Sequence, residues 1–211
     1  NIKLINQIDK TSINNVNEKI LLKNRFWLAA STHKGEEIFC LKTHLYIKKR
    51  FNDLITIIAP RHIDRVRKIK SLCDSYNLNA QIVNKNELIQ ENKEIIIINS
   101  FGILNEYFKY AKSVFIGKSI LKELSNVGGQ NPIDAAKLGC KIYHGPYVYN
   151  FKEIYDLLKS YKISEEISNE TDLTKKLEND LKEVKNDENK IINSINDMGD
   201  KILDNTAKEI N

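Results

Sequence analysis

The sequence predicts an α/β fold, a parallel sheet covered by helices on both faces, and three observations predict it. Short β-branched runs, too brief for typical helices, read as strands buried on both sides; the clearest are Ile55-Thr56-Ile57-Ile58 and Ile95-Ile96-Ile97-Ile98. Segments with helical spacing lie between such runs, and that alternation marks a parallel sheet. Loops rich in glycine, hydroxyl or cationic residues follow several of the strands, where open α/β sheets bind ligands. Together these describe a Rossmann-like, doubly wound domain.

Taken in order, strands are predicted over 26–30, 54–59, 80–83, 95–98, 114–117 and 141–143. Helices are predicted over 36–51, 63–76, 104–111 and 132–138, with Gly139 as the stop after the last. Beyond Phe151 the pattern changes to polar amphipathic helices over 151–161, 173–184 and 191–203. Leu173, Leu177, Leu181 and Val184 make a narrow apolar stripe that needs a partner surface, whether from this domain, another domain or another chain. The expected organisation is a Rossmann-like body over 26–160 and a helical tail over 161–211.

Charge divides along the same line. Residues 161–211 hold 8 Lys/Arg against 13 Asp/Glu, and residues 1–160 hold 25 against 15, so a body of +10 carries a tail of −5. A basic body attracts nucleotides, anionic lipid or nucleic acid, although a lysine-rich surface is also an ordinary solvated face. Hydrophobic residues at 41% and charged residues at 29% exclude collagenous, mucin-like and wholly disordered classes. Cys40, Cys73 and Cys140 are odd in number and lack metal-ligand spacing, which favours a reducing compartment. No apolar run reaches the roughly 18 residues of a membrane-spanning helix, and no signal sequence opens the chain, so membrane contact is expected to be peripheral or supplied by another segment.

Four loops carry the candidate chemistry. Ser31-Thr32-His33-Lys34-Gly35-Glu36-Glu37 runs from a strand into a helix, where hydroxyls, an imidazole and free amides suit an anion; the plain alternative is a Ser or Thr helix cap. Pro60-Arg61-His62 follows the second strand, and Arg61 offers a planar fork for phosphate, carboxylate or a base edge, or else pairs with nearby Asp64. In Asn99-Ser100-Phe101-Gly102, Gly102 lets a ligand approach the backbone, or simply makes a turn. Gly128-Gly129-Gln130-Asn131-Pro132-Ile133-Asp134 supplies two glycines for amides that wrap a phosphate, Asn131 as a cap, Pro132 at the first helical position and Asp134 for ribose hydroxyls. It is not a Walker loop, because the Gly-Lys-Ser/Thr ending is absent. His44 and His144 have no Cys or His neighbour at ligand spacing, so no metal is assigned.

Read together, Ala30-Ser31-Thr32-His33-Lys34-Gly35-Glu36-Glu37, Pro60-Arg61-His62-Ile63-Asp64-Arg65, Gly128-Gly129-Gln130-Asn131-Pro132 and Gly145-Pro146 with Asn150-Phe151 resemble the carboxyl-terminal domain of Kdo (3-deoxy-D-manno-octulosonic acid) transferases, in order and in spacing. Asn1-Ile2-Lys3-Leu4 resembles the segment by which that family's chain enters its second domain, so 1–25 is expected to be an interdomain crossing. The resemblance fades in the acidic tail.

The resemblance implies the second half of a GT-B glycosyltransferase, with CMP-Kdo as donor, a lipid A precursor as acceptor, no cofactor and no nucleic-acid partner. It further implies peripheral contact of the full enzyme with the cytoplasmic face of the bacterial inner membrane. Ser31, Thr32 and His33 would line the donor pocket, with Arg61 and His62 at the nucleotide and Ser100 and Gly102 reaching the base. Gly129, Gln130 and Asn131 would hold the phosphate or sugar, and Asp134 the ribose. No catalytic residue is expected in this chain, since the family's general base lies in the other domain. Three departures stand out: Gln130 replaces a usual His, Ile133-Asp134-Ala135 a Leu-Glu-Pro, and Gly102-Ile103-Leu104 a Gly-Glu-Leu. A nucleotide-sugar epimerase of the same architecture and a basic nucleic-acid-binding module are the competing readings, the latter lacking the aromatic-rich basic motifs of common RNA-binding modules.

Overall fold

A computed structural model describes residues 8–182 and 188–210. Seven strands make one sheet: β1 (Arg25–Thr32), β2 (Leu54–Pro60), β3 (Ala80–Val83), β4 (Ile95–Ile98), β5 (Ser113–Ile116), β6 (Lys141–His144) and β7 (Ser164–Glu166). Every pairing is parallel, and the order is β3-β4-β2-β1-β5-β6-β7. The chain moves outward from β1 through β2 in one direction and then returns to place β5 on the other side of β1. The crevice above the carboxyl ends of β1 and β5 is therefore the switch point at which such sheets take ligands.

The strand sequences show why the sheet is covered on both faces. Residues of β1 alternate between two cores: Leu28 and Ala30 join one apolar cluster, and Trp27 and Ala29 join the other. All four isoleucines of β4 are buried, as a central parallel strand requires. The helices are α1 (Glu18–Lys23), α2 (Glu36–Lys48), α3 (Val66–Ser75), α4 (Leu104–Phe108), α5 (Ile133–Lys137), α6 (Lys152–Ser160), α7 (Glu170–Lys182) and α8 (Glu188–Ile210). Buried residues of α2, α3 and α7 line the Trp27 side, and those of α4, α5, α6 and α8 the Leu28 side.

The six predicted strands form, while three elements differ from expectation. Helix α3 is preceded by a tight 3-10 turn over Ile63–Arg65, and the short helix α1 has only Leu21 fully buried. Strand β7 carries no apolar run; Ser164-Glu165-Glu166 is extended because it pairs with β6, with Lys141 bridging to Glu165 across the pair at 2.9 Å. The segment after 160 therefore contributes a strand to the sheet as well as helices. The Leu173, Leu177 and Leu181 stripe finds its partner within this chain, buried where α7 lies along α2. Val184 and the Asn1-Ile2-Lys3-Leu4 stretch lie outside the described residues. Among the described residues no helix is long and apolar enough to cross a membrane.

Candidate functional site

At the end of β1 the chain departs from regular pairing: the register with β2 shifts between Ala30 and Thr32, and Ser31 sits in the left-handed region at φ 58°. A bulge here breaks the regular alternation of side chains along the strand. His33 follows, with Nδ1 3.2 Å from the Ser31 carbonyl. Burial pushes its imidazole below the usual value, opposed by the Ser31 carbonyl and reinforced by Lys118, His62 and Arg65, which favours its neutral form.

The helix that begins next is not capped by Ser31 or Thr32. Its cap position is Gly35 in a left-handed conformation, φ 98°, and the hydroxyl of Thr32 instead donates to Glu37 Oε1 at 2.9 Å. Glu37 is buried and accepts from Arg65 at 2.7 Å through its other oxygen. Glu36, fully buried, is the centre of the arrangement. Its carboxylate accepts backbone amides from His33 (2.8 Å), Lys118 (2.6 Å), Ser119 (2.8 Å) and Ile120 (3.2 Å). Burial raises its carboxyl above the ordinary range, while these four amides pull the other way. Gly117 completes the junction, because a Cβ there would meet the Ser31 carbonyl at 2.7 Å.

The second loop joins the first directly. The amide of Arg61 donates to the Thr32 carbonyl at 3.0 Å, and the rings of His33 and His62 meet edge to face at 5.7 Å. Arg61 and His62 are exposed, and the Arg61 guanidinium makes no ion pair with Asp64 or any other described residue. The glycine loop reaches the same junction from the other side, through the Gly129 amide, which donates to the Lys118 carbonyl at 2.6 Å. Gly128 is packed so closely that a Cβ would lie 2.1 Å from the Tyr147 carbonyl. Asn131, two residues before α5, accepts the Ile133 amide through Oδ1 at 3.0 Å, and α5 starts at Ile133 rather than at Pro132. The carbonyl of Gln130 accepts the Tyr155 hydroxyl at 2.9 Å, and Asp134 lies in the first turn of α5.

The Ser100–Gly102 loop stands two strands out from β1, at the carboxyl end of β4. Ser100 Oγ is occupied by the protein itself: it accepts the Lys85 amide and donates to the Asn99 carbonyl, at 2.8 and 2.7 Å. Gly102 is exposed with φ 75° and has open space where a Cβ would project. Helices α4 and α5, which follow the Gly102 and Asn131 loops, pack against each other.

Sequence reasoning passed over the β5 loop, Gly117-Lys118-Ser119, which the fold sets at the switch point. Its signal was Gly117 ending an apolar run, and Lys118, half-buried at φ 59°, lies in a backbone conformation uncommon for a side-chain-bearing residue. Arg65 was likewise missed as the partner of Glu37. Among the described residues no three His, Cys, Asp or Glu side chains gather as metal ligands.

No protein-family model matches the chain. It is 29% identical over 158 residues to the 3-deoxy-D-manno-octulosonic acid transferase of Aquifex aeolicus, covering 75% of this chain and 42% of that protein. To the enzyme of the same description from Rickettsia prowazekii it is 30% identical over 210 residues, covering 91% of this chain and 44% of that one. The chain thus spans less than half the length of these relatives. In fold it matches the crystal structure of the C-terminal CMP-Kdo binding domain of WaaA from Acinetobacter baumannii, with a TM-score of 0.73, 21% identity, and coverage of 84% of this chain and 91% of that one. By sequence the chain belongs to the 3-deoxy-D-manno-octulosonic acid transferase family, and by fold it is a Rossmann-like α/β domain.

Proposed function

We propose that this chain is the donor-binding half of a glycosyltransferase that moves Kdo from CMP-Kdo to a lipid A precursor. The observation that carries the reading is the junction at Glu36, where one buried carboxylate draws the loops after β1 and β5 together at the switch point. The glycine loop meets them through Gly129.

In this reading Ser31, Thr32 and His33 line the pocket and Arg61 with His62 faces the nucleotide. The Ser100–Gly102 loop approaches the base; Gly129, Gln130 and Asn131 hold the phosphate or sugar, and Asp134 the ribose. Lys118 joins them as a second cation beside His33. Thr32 shapes the pocket rather than binding, because its hydroxyl proton is committed to Glu37, and Ser100 acts through its backbone for the same kind of reason. CMP is a good leaving group, so the work of these residues is to hold the donor and stabilise charge on the departing phosphate. The exposed, unpaired guanidinium of Arg61 suits that task. Activation of the acceptor hydroxyl, contact with the lipid acceptor and attachment to the cytoplasmic face of the inner membrane fall to the part of the enzyme that the relatives carry beyond this chain.

Calorimetric titration with CMP and with UDP tests the reading. CMP binding that weakens about tenfold, or 1.4 kcal/mol, in Arg61→Ala and again in Asp134→Ala is the expected result. Preference for UDP turns the assignment toward an epimerase, and unchanged CMP affinity in both variants removes the pocket from this crevice.

A further inference from the structure

We infer that Tyr155 is a positioning residue for the donor, its hydroxyl setting the peptide plane between Gln130 and Asn131 so that the Asn131 amide meets the phosphate. The inference rests on the donor-binding reading and narrows it to one contact atom in the glycine loop.

The first part of that loop is already tied down. The Val127 carbonyl accepts Asn150 Nδ2 at 2.8 Å, and the Gly128 carbonyl accepts the Asn150 amide at 3.0 Å. The Gly129 amide is spent on the Lys118 carbonyl at 2.6 Å, so Gly129 shapes the loop and has no free amide for a ligand. The amides of Gln130 and Asn131 donate to no described residue. Both residues are half-buried, and an amide left there without a partner gains most from an anionic oxygen.

Of these two amides, only that of Asn131 has its direction fixed by an observed hydrogen bond. The Tyr155 hydroxyl donates to the Gln130 carbonyl at 2.9 Å. A trans peptide is planar, with its C=O and N–H pointing in opposite directions, so holding the Gln130 carbonyl aims the Asn131 N–H away from Tyr155 and the core around it. The Gly129 carbonyl, which shares its peptide with the Gln130 amide, accepts no hydrogen bond from a described residue.

The hydroxyl can impose this orientation because its own place is fixed. Tyr155 is 2% exposed, its ring packs on that of His144 at 4.3 Å, and its carbonyl accepts Ser164 Oγ at 3.2 Å. Burial pushes the phenol well above its usual value, which keeps it a protonated donor.

NMR titration, which reads weak binding, compares CMP with cytidine, its phosphate-free counterpart, on the parent chain and on Tyr155→Phe. That change keeps the ring against His144, and Tm checks the fold. Tyr155→Phe is expected to bind CMP about tenfold more weakly, with cytidine affinity within about twofold of the parent. A general loosening of the loop would weaken both ligands alike. In the parent chain, with no substitution, the Asn131 amide proton is expected to move downfield with CMP and to stay in place with cytidine. An Asn131 signal indifferent to CMP, equal losses for the two ligands, or unchanged CMP affinity in Tyr155→Phe each overturn the positioning role and leave the donor reading standing. A parent chain that does not bind CMP defeats the donor reading, and the role of Tyr155 with it.

Discussion

The carboxylate of Glu36 sits 2.6 Å from the backbone amide of Lys118, so a side chain at the start of α2 decides where the loop leaving β5 runs. Three further amides converge on the same carboxylate. Glu36→Ala strips four donors of their acceptor in a fully buried place. Each buried donor left unpaired costs about 1–3 kcal/mol, and partial relaxation leaves an expected loss of at least about 3 kcal/mol. Urea unfolding measures it, and a loss under about 1 kcal/mol contradicts the clamp.

His44 gives a pH dependence whose sign is fixed by its burial. It is wholly inside, with Nδ1 2.8 Å from Thr56 Oγ1, and burial pushes its imidazole down to about 3 even though Glu94 lies 3.7 Å from Nε2. In the unfolded chain the group titrates near 6.5. Its contribution is complete above that value and is lost as the pH falls from about 6.5 toward 3, because only the unfolded chain takes up the proton. The slope from this group approaches about 1.4 kcal/mol per unit. Urea midpoints at pH 7, 6 and 5 are expected to fall in the parent chain and to fall less in His44→Gln; parallel slopes rule this out.

Two glycines of the candidate site separate packing from backbone conformation. A Cβ at Gly128 would lie 2.1 Å from a carbonyl oxygen, whereas Gly102 at φ 75° has no atom within 4 Å of that position. Gly128→Ala is therefore expected to displace the glycine loop, with a marked drop in Tm and in CMP affinity. Gly102→Ala carries only the left-handed backbone penalty of about 1 kcal/mol. Equal effects of the two on Tm would mean the close packing at Gly128 is relieved cheaply.

The α7 helix supplies a contrast between apolar and ionic contacts on one element. Leu177 is fully buried, and Leu177→Ala is expected to cost about 2–5 kcal/mol. Neighbouring Glu178 pairs with Arg50 at 3.1 Å, but the arginine side chain is 52% exposed, so Arg50→Ala is expected to cost less than about 1 kcal/mol. Denaturant midpoints rank the two, and reversal of that order refutes the assignment of α7 to the core.

The legible parts of this molecule were those written in side chains that act locally. Ile55-Thr56-Ile57-Ile58 and Ile95 to Ile98 announce central strands because both faces must be apolar, and both are strands. The loops around Ser31, Arg61, Gly102 and Asn131 were readable because strand and helix flank them, and the fold sets them at the carboxyl ends of β1, β2, β4 and before α5. Strand β7 was not legible, since Ser164-Glu165-Glu166 is extended only by virtue of its neighbour β6. Nor were Glu36, Glu37 and Arg65, whose roles depend on partners such as Lys118 that lie far along the chain. A glutamate in the first turn of a helix reads as a solvated charge until the loop that surrounds it is in view.

The position of β1, flanked by β2 on one side and by β5 on the other, also governs how the molecule is made. Ribosomes deliver Ser113–Ile116 long after β1 and β2, so an emerging chain holds β1 with one flank unsatisfied and apolar surface on both sides of an incomplete sheet. Such intermediates are slow to resolve and attract the wrong partners, which makes the late arrival of β5 the step at which chaperones have most to protect.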